Sequence, residues 1–212
     1  MSKFSKEILV TGGSGFLGSY VADVLSDAGL KVTIFDIKKS PWIKKNQKMV
    51  IGDLLDEGLV KKIVKNKFAV FHFAGISDIE KASSFPISAI KNNILATSIL
   101  LDQCSKSKVK RFIFASSIYV YSDKGGIYRS TKQACELLIE NFSTLKKLDY
   151  TILRFGSIYG RRSEKDNFIH SIIYSALKNK ILIRNGNDDD IRDYIHVIDA
   201  AKASLKILEK EF

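Results

Sequence analysis

The chain has 212 residues, of which 45% are hydrophobic, enough for a sizeable core in one compact unit, and a formal net charge of +11. It shows no positively charged start leading into an apolar stretch and no apolar run long enough to span a bilayer, so a cytoplasmic protein without a membrane partner is expected. The basic balance does not announce a nucleic-acid binder, because the lysines form scattered pairs such as Lys38-Lys39 and Lys146-Lys147 with no interleaved aromatics; they read as a solvated surface that would also favour anionic substrates.

The first element is a strand through Ile8-Leu9-Val10, followed by Thr11-Gly12-Gly13-Ser14-Gly15-Phe16-Leu17-Gly18 and by helical periodicity over 20–30. Glycines at 12, 15 and 18 fall where a strand must turn sharply into a helix. The first permits the turn, the second lets backbone N–H groups approach a pyrophosphate, and the third lets the helix pack on the strand; the helix N-terminus adds partial positive charge. A second strand over 31–35 ends in Asp36, placed to accept hydrogen bonds from an adenosine ribose. A bound dinucleotide is therefore expected, and NAD rather than NADP, since Asp36 would repel a 2′-phosphate.

Residues 38–48, with Pro41 and Trp42, read as a loop with a short helix, and a third strand over 49–51 leads through Gly52-Asp53 into a helix over 54–66. The run 68–73 is continuously apolar around His72, as in a strand buried on both faces. A long helix over 86–106 with Pro86 near its start, a strand over 111–115, a helix over 128–147 and a strand over 150–153 complete the alternation. Such βαβ repetition predicts an α/β fold, a Rossmann-type doubly wound parallel sheet with helices on both faces. Cys104 and Cys135 lack metal-ligand spacing, and Asp188-Asp189-Asp190 beside Asn185-Gly186-Asn187 reads as a solvated turn, so no metal is expected.

Chemistry belongs at the C-terminal ends of the strands. Ser116-Ser117 closes the fifth strand, and Tyr128-Arg129-Ser130-Thr131-Lys132 opens the next helix, with Tyr128 and Lys132 on one face a turn apart. A lysine ammonium beside the phenol, together with an oxidised nicotinamide, is expected to lower the Tyr128 pKa, so that the phenolate takes the proton of a substrate hydroxyl held by Ser117. The spacing alone is weak, since it recurs at Tyr174 and Lys178; that second pair follows the sixth strand and reads as surface helix. His72 reads as a satisfied core histidine.

Taken together, T-G-G-S-G-F-L-G at 11–18, Gly52-Asp53-Leu54, F-H-F-A-G at 71–75, F-A-S-S at 114–117, Y-R-S-T-K at 128–132, L-R-F-G-S-I-Y-G at 153–160 and R-D-Y-I-H-V at 192–197 resemble the extended short-chain dehydrogenase/reductases, the nucleotide-sugar epimerases, dehydratases and reductases typified by UDP-galactose 4-epimerase. The resemblance implies a catalytic triad of Ser117, Tyr128 and Lys132, with Asp53 and Leu54 near the adenine and Asn93 in a polar network on the cofactor side. It extends the cofactor surface over Gly12, Gly15, Phe16, Leu17, Gly18, Asp36, Phe73, Ala74 and Gly75, with Tyr128 and Lys132, and puts Ser117 and Arg192 on the substrate. Two of these assignments carry alternatives: Asp53 could cap the helix that follows it, and Arg192 could pair with the acidic run at 188–190. The resemblance also implies a homodimer through the helices over 86–106 and 128–147, with Leu95, Ile99, Leu137 and Leu138 at the contact or in the core.

Family members on nucleotide sugars continue beyond R-D-Y-I-H-V, whereas this sequence stops at Phe212, so a shortened substrate lobe is expected: a dinucleotide-binding domain over 1–155, a lobe over 156–191, and a strand and helix over 192–212 packing back. The connection from Ser117 to Tyr128 is short, contains Gly125-Gly126 and lacks the usual proline. Where 4,6-dehydratases carry an Asp-Glu pair this sequence has Ile118 and Tyr119, which disfavours dehydration. The leading expectation is an NAD-dependent nucleotide-sugar epimerase working through a transient keto-sugar. The alternatives are an NAD-binding module without catalysis and a dehydrogenase or reductase on a smaller substrate.

Overall fold

The computed structural model describes residues 6–165, 167–182 and 191–209; the asparagine-glycine turn and acidic run over 185–190 lie outside them. The apolar runs form a six-stranded parallel sheet in the order β3-β2-β1-β4-β5-β6, with β1 Glu7–Thr11, β2 Lys31–Asp36, β3 Gln47–Ile51, β4 Ala69–His72, β5 Arg111–Ser117 and β6 Tyr150–Phe155. Alternate side chains of each central strand go to opposite faces, and both faces are covered. Ile8, Val10, Ile34, Phe71 and Ile113 pack with Val21, Ala22 and Leu25 of helix α1 (Phe16–Asp27) and Ala201 of a C-terminal helix. Leu9, Val70, Phe112 and Phe114 face the other way, onto Val60 and Val64 of α2 (Glu57–Val64), with Leu100 and Leu101 beyond them. This two-sided burial is why the strands read as unbroken apolar runs.

Some boundaries differ from those read in the sequence, for identifiable reasons. Residues 38–46 contain turns and no helix, and β3 begins two residues early, at Gln47, whose side chain is buried on Asp23 and Ser26. The helix expected from 54 starts at Glu57: the Asp53 carboxylate accepts from the Leu55 N–H, and Asp56, accepting from Leu59 N, is the cap. After β4 come a short helix, α3 (Ile79–Ser84), and then a continuous helical rod from Pro86 to Lys106 built of α4 (Pro86–Ala89), a π-helical stretch Ile90–Leu95 and α5 (Ala96–Lys106). A 3-10 turn, Ile118–Tyr121, follows β5 and precedes α6 (Gly126–Lys146).

Beyond β6 the chain leaves the sheet. β7 (Ser157–Tyr159) pairs in parallel with β8 (Tyr194–His196), α7 (Phe168–Asn179) lies between them in sequence, and α8 (Val197–Glu209) returns to pack on α1. One arginine fastens the connection after β7 to the sheet's helices. Arg162 donates to Ser19 Oγ at 3.2 Å and pairs with Asp23 at 2.9 Å, while its guanidinium lies over the Tyr20 and Trp42 rings.

Candidate active site

The order of the strands puts a switch point between β1 and β4, and the glycine turn crosses it. Gly12 has a left-handed backbone, φ +70°, and a Cβ there would lie 2.5 Å from the Ala74 nitrogen, so the turn is pressed against the chain leaving β4. A Cβ on Gly18 would meet the Gly12 carbonyl oxygen at 2.2 Å; helix and turn touch backbone to backbone there. Gly15 differs. It is exposed, and a Cβ on it would find only the Gly12 oxygen within reach, at 3.3 Å. Its hydrogen lies on the open side of the turn, where something outside the chain can come close. α2, α3 and α7 are each capped by a side chain, from Asp56, Asp78 and Asn167, whereas α1 begins at Gly15 with none. The amides of Phe16 and Leu17 head that uncapped end, which suits the diphosphate of a dinucleotide.

Asp36, ending β2, braces this turn: its two carboxylate oxygens accept from Ser14 N at 2.9 Å and Lys38 N at 3.3 Å. A carboxylate retains further lone pairs for ribose hydroxyls. Gly52 N donates to the Asp36 carbonyl at 2.9 Å, which brings Asp53 to the neighbouring strand end. Asp53 is therefore not a helix cap, and its carboxylate stays at the rim beside Leu54, whose side chain is in the core.

The third group gathers at the end of β5. Ser117, Tyr128 and Lys132 are all buried, the serine on the strand end and the other two on the facing turns of α6. Burial pushes the Tyr128 phenol up, a hydrogen bond with Ser117 pulls it down, and Tyr119 adds to the rise. Lys132 is held at about 8, against an ordinary 10.5, by burial, with Cys135 and Glu136 drawing it back up. Its ammonium donates to the Ala115 carbonyl at 2.7 Å and lies over the Phe114 ring, 4.6 Å from the centroid. The expected lowering of the tyrosine by the lysine is thus not found among the chain's own groups. Desolvation is the largest influence on the phenol, and Lys132 turns to the strand carbonyl.

A polar network around Asn93 supports these groups. The π-helical stretch turns Asn93 inward, where its amide accepts from Ile76 N at 2.7 Å, donates to Ile76 O at 3.1 Å and donates to Thr131 Oγ1 at 2.9 Å. Thr131 in turn donates to the Tyr128 carbonyl. Asn93 therefore clamps the chain after β4, where Phe73, Ala74 and Gly75 lie, to the helix of Tyr128; a Cβ on Gly75, φ +138°, would strike its amide oxygen at 2.7 Å. His72 is a core residue, as read. It lies between Thr11 Oγ1 (2.7 Å) and Thr97 Oγ1 (2.9 Å), and burial lowers its pKa to about 3. Because the Thr97 hydroxyl donates to Asn93 O, His72 donates to it from Nε2 and accepts from Thr11 at Nδ1.

Arg192 stands apart from this gathering, exposed, with its guanidinium 5.0 Å above the Phe168 ring at the start of α7. Sequence reading missed Thr131, the reach of Asn93 to it, and Tyr119, whose ring meets that of Tyr128; the resemblance put Asn93 in a polar network without naming its partners. Among the described residues no group of His, Cys, Asp and Glu could hold a metal ion.

The chain is similar to known nucleotide-sugar enzymes. A UDP-glucose 4-epimerase of Haemophilus influenzae is 30% identical over 96% of this chain, which spans 73% of its length. A dTDP-D-glucose 4,6-dehydratase of Dictyostelium discoideum is 27% identical over 98% of this chain, which spans 56% of its length. The solved UDP-N-acetylglucosamine 4-epimerase from Methanobrevibacter ruminantium, in complex with UDP-N-acetylmuramic acid, superposes with a TM-score of 0.90 at 30% identity, over 98% of this chain and 74% of that one. Residues 8–212 match the family profile, and the chain belongs to the NAD-dependent epimerase/dehydratase family.

Proposed function

We propose that this chain is an NAD-dependent nucleotide-sugar epimerase, with residues 1–155 holding the cofactor, 156–191 facing the sugar nucleotide and 192–212 closing back on the sheet. The observation that carries the reading is the convergence of buried Ser117, Tyr128 and Lys132 on the strand ends beside an α1 N-terminus with no side-chain cap. The cradle suits NAD: Gly12 and Gly15 shape the turn so that the amides of Phe16, Leu17 and Gly18 at the head of α1 meet the diphosphate, with Asp36 for the ribose and Asp53 and Leu54 at the adenine. Phe73, Ala74 and Gly75, held by Asn93, would line the nicotinamide side with Tyr128 and Lys132. When bound, NAD supplies a reversible acceptor for the two electrons and the hydrogen that leave the sugar carbon.

The remaining work falls to the chain. Tyr128 Oη takes the proton of the sugar hydroxyl and later returns it, Ser117 Oγ holds the same oxygen, and the Lys132 ammonium offsets the negative charge of the phenolate. Hydroxyl becomes ketone and ketone becomes hydroxyl with the same three side chains, so the keto-sugar need only turn over between the halves for the configuration to invert. Arg192 is assigned to the diphosphate of the substrate. Ile118 and Tyr119 supply no carboxyl group for expelling a hydroxyl, which separates this reading from dehydration.

A homodimer through the Pro86–Lys106 rod and α6 is supported by Leu95 and Leu137, 48% and 60% exposed, whereas Ile99 and Leu138 pack into the subunit's own core. No helix among the described residues is long and apolar enough to cross a membrane. A cytoplasmic location is supported by the free, buried Cys104 and Cys135.

The test is incubation of the protein and NAD with UDP-, GDP- and dTDP-sugars, followed by proton NMR of the sugar. Inversion at one carbon of one of them is expected. Stable NAD binding with every sugar returned unchanged would overturn the epimerase reading and leave an NAD-binding module.

A further inference from the structure

The 3-10 turn after β5 places a second phenol against the first. The Tyr119 and Tyr128 rings meet edge to face, with centroids 6.4 Å apart and planes at 80°. The same residue also touches the serine of the site, since Tyr119 N donates to Ser117 Oγ at 3.3 Å. Ser117 thereby accepts at its oxygen from the turn, which leaves its own proton free to be donated to the Tyr128 oxygen. The turn is itself secured to α6, because Gln133 Nε2 donates to Val120 O at 2.9 Å.

The entrance to α6 is shaped around this ring. Gly125 has φ +95°, and a Cβ on it would lie 3.2 Å from both Cβ and Cδ1 of Tyr119. Gly125, the residue before α6, is thus what allows the chain to pass beneath the ring. On its remaining sides Tyr128 meets a small apolar cluster, with Ala82 and Ala89 buried and Ile76, Ile79 and Ile127 packed against them. The titratable groups that face Tyr128 are Tyr119 from the turn and Lys132 from its own helix, beside the Ser117 hydroxyl of β5; Glu80, Lys81 and Lys91 of the neighbouring elements are exposed.

We propose that Tyr119 is a positioning residue for Tyr128: its ring, seated on Gly125, shuts water from the open side of the phenol and fixes the plane in which that phenol meets the substrate hydroxyl. This rests on the reading of Tyr128 as the proton acceptor. Burial is the larger cause of the raised phenol, and the smaller, coulombic rise from Tyr119 belongs to its hydroxyl; what the ring itself contributes is burial, so removing the ring lowers the phenol. Water admitted beside the Tyr128 oxygen lowers its pKa, and the looser ring loses reactive geometry.

The experiment places 3-fluorotyrosine at position 128 and follows its fluorine resonance with pH in the unaltered protein, in Tyr119→Phe and in Tyr119→Ala. The midpoint is expected to fall by about one pH unit in the alanine variant and to stay within about 0.3 in the phenylalanine variant, which keeps the ring. On a sugar that the unaltered protein converts, Tyr119→Ala lowers kcat by about ten- to a hundredfold with KM nearly unchanged, and Tyr119→Phe restores most of it. Tyr119→Leu, which fills the space without a ring, takes the place of the alanine variant if that one does not fold. An unchanged fluorine midpoint in the ring-less variant overturns the proposal. The titration needs no substrate, so a failure of the epimerase reading shows in the sugar assay and leaves this measurement standing.

Discussion

Two helices of this protein carry a tyrosine four residues before a lysine. On α7, Tyr174 and Lys178 are directly hydrogen bonded, 3.1 Å apart, with Tyr174 56% exposed. On α6, Tyr128 and Lys132 are buried, and the lysine gives its hydrogen bond to the Ala115 carbonyl and not to the phenol. The pair that looks more like a partnership is the one in water. What separates them is surroundings: α6 faces a strand end bearing Ser117 and an amide network through Asn93 and Thr131, whereas α7 buries none of its residues. Spacing brings two side chains onto one helical face, but desolvation and a third group decide whether they can move a proton.

The comparison is broken most sharply at Tyr128. Tyr128→Phe keeps the ring and its edge contact with Tyr119 and removes the oxygen proposed above to take the sugar proton. Turnover on a sugar converted by the unaltered protein is expected to fall by about two to four orders of magnitude. NAD affinity, measured by calorimetry, is expected to change little. Full activity in this variant would remove Tyr128 from the mechanism.

Lys132 sharpens the contrast in stability. Its folded value, about 8, lies below its ordinary 10.5, so between those limits the unfolded chain carries a proton that the folded chain has released, and stability rises with pH across that window. Below about pH 8 both states are protonated and the fold carries the full cost of a buried ammonium, on the order of 3 kcal/mol. Lys132→Met removes that cost. The variant is expected to exceed the unaltered protein in urea midpoint at pH 7, with the advantage shrinking as pH climbs towards 10.5, while activity and NAD affinity both drop. Lys178→Met, on the exposed face of α7, is expected to leave the urea midpoint nearly unchanged. A Lys132→Met advantage that does not vary with pH would show that the ammonium is not strained.

How much of this was written in the sequence depends on how local each cause is. The sheet was legible because strands buried on both faces leave apolar runs, and the cradle because only glycine fits at 12 and 18, where a Cβ would strike backbone. The start of α2 was not, since Asp53 and Asp56 are both plausible caps and only the hydrogen bonds decide between them. The π-helical stretch that aims Asn93 differs from an ordinary helix by one residue per turn and leaves no signature in hydrophobic periodicity. Arg162 meets Ser19, Asp23, Tyr20 and Trp42 across most of the chain length, a contact no spacing rule can see. Nor could spacing show that Lys132 turns to a carbonyl, because Ala115 lies on a different element.

The smallest expected effect falls on the other pair. Tyr174→Phe deletes the hydroxyl that accepts from Lys178 and leaves the ring on an exposed face. In water each partner exchanges that bond for one with solvent, so stability is expected to stay within about 0.5 kcal/mol. Turnover and the apparent KM for the sugar nucleotide are expected to match the unaltered protein. The variant is informative because α7 belongs to the region assigned to the sugar, and its exposed Ile173 and Leu177 flank Tyr174. A rise in KM of about tenfold or more with kcat unchanged would place this face in contact with the nucleotide. The exposed pair would then be a binding element, and its exposure in the structure would be that of a surface waiting for substrate.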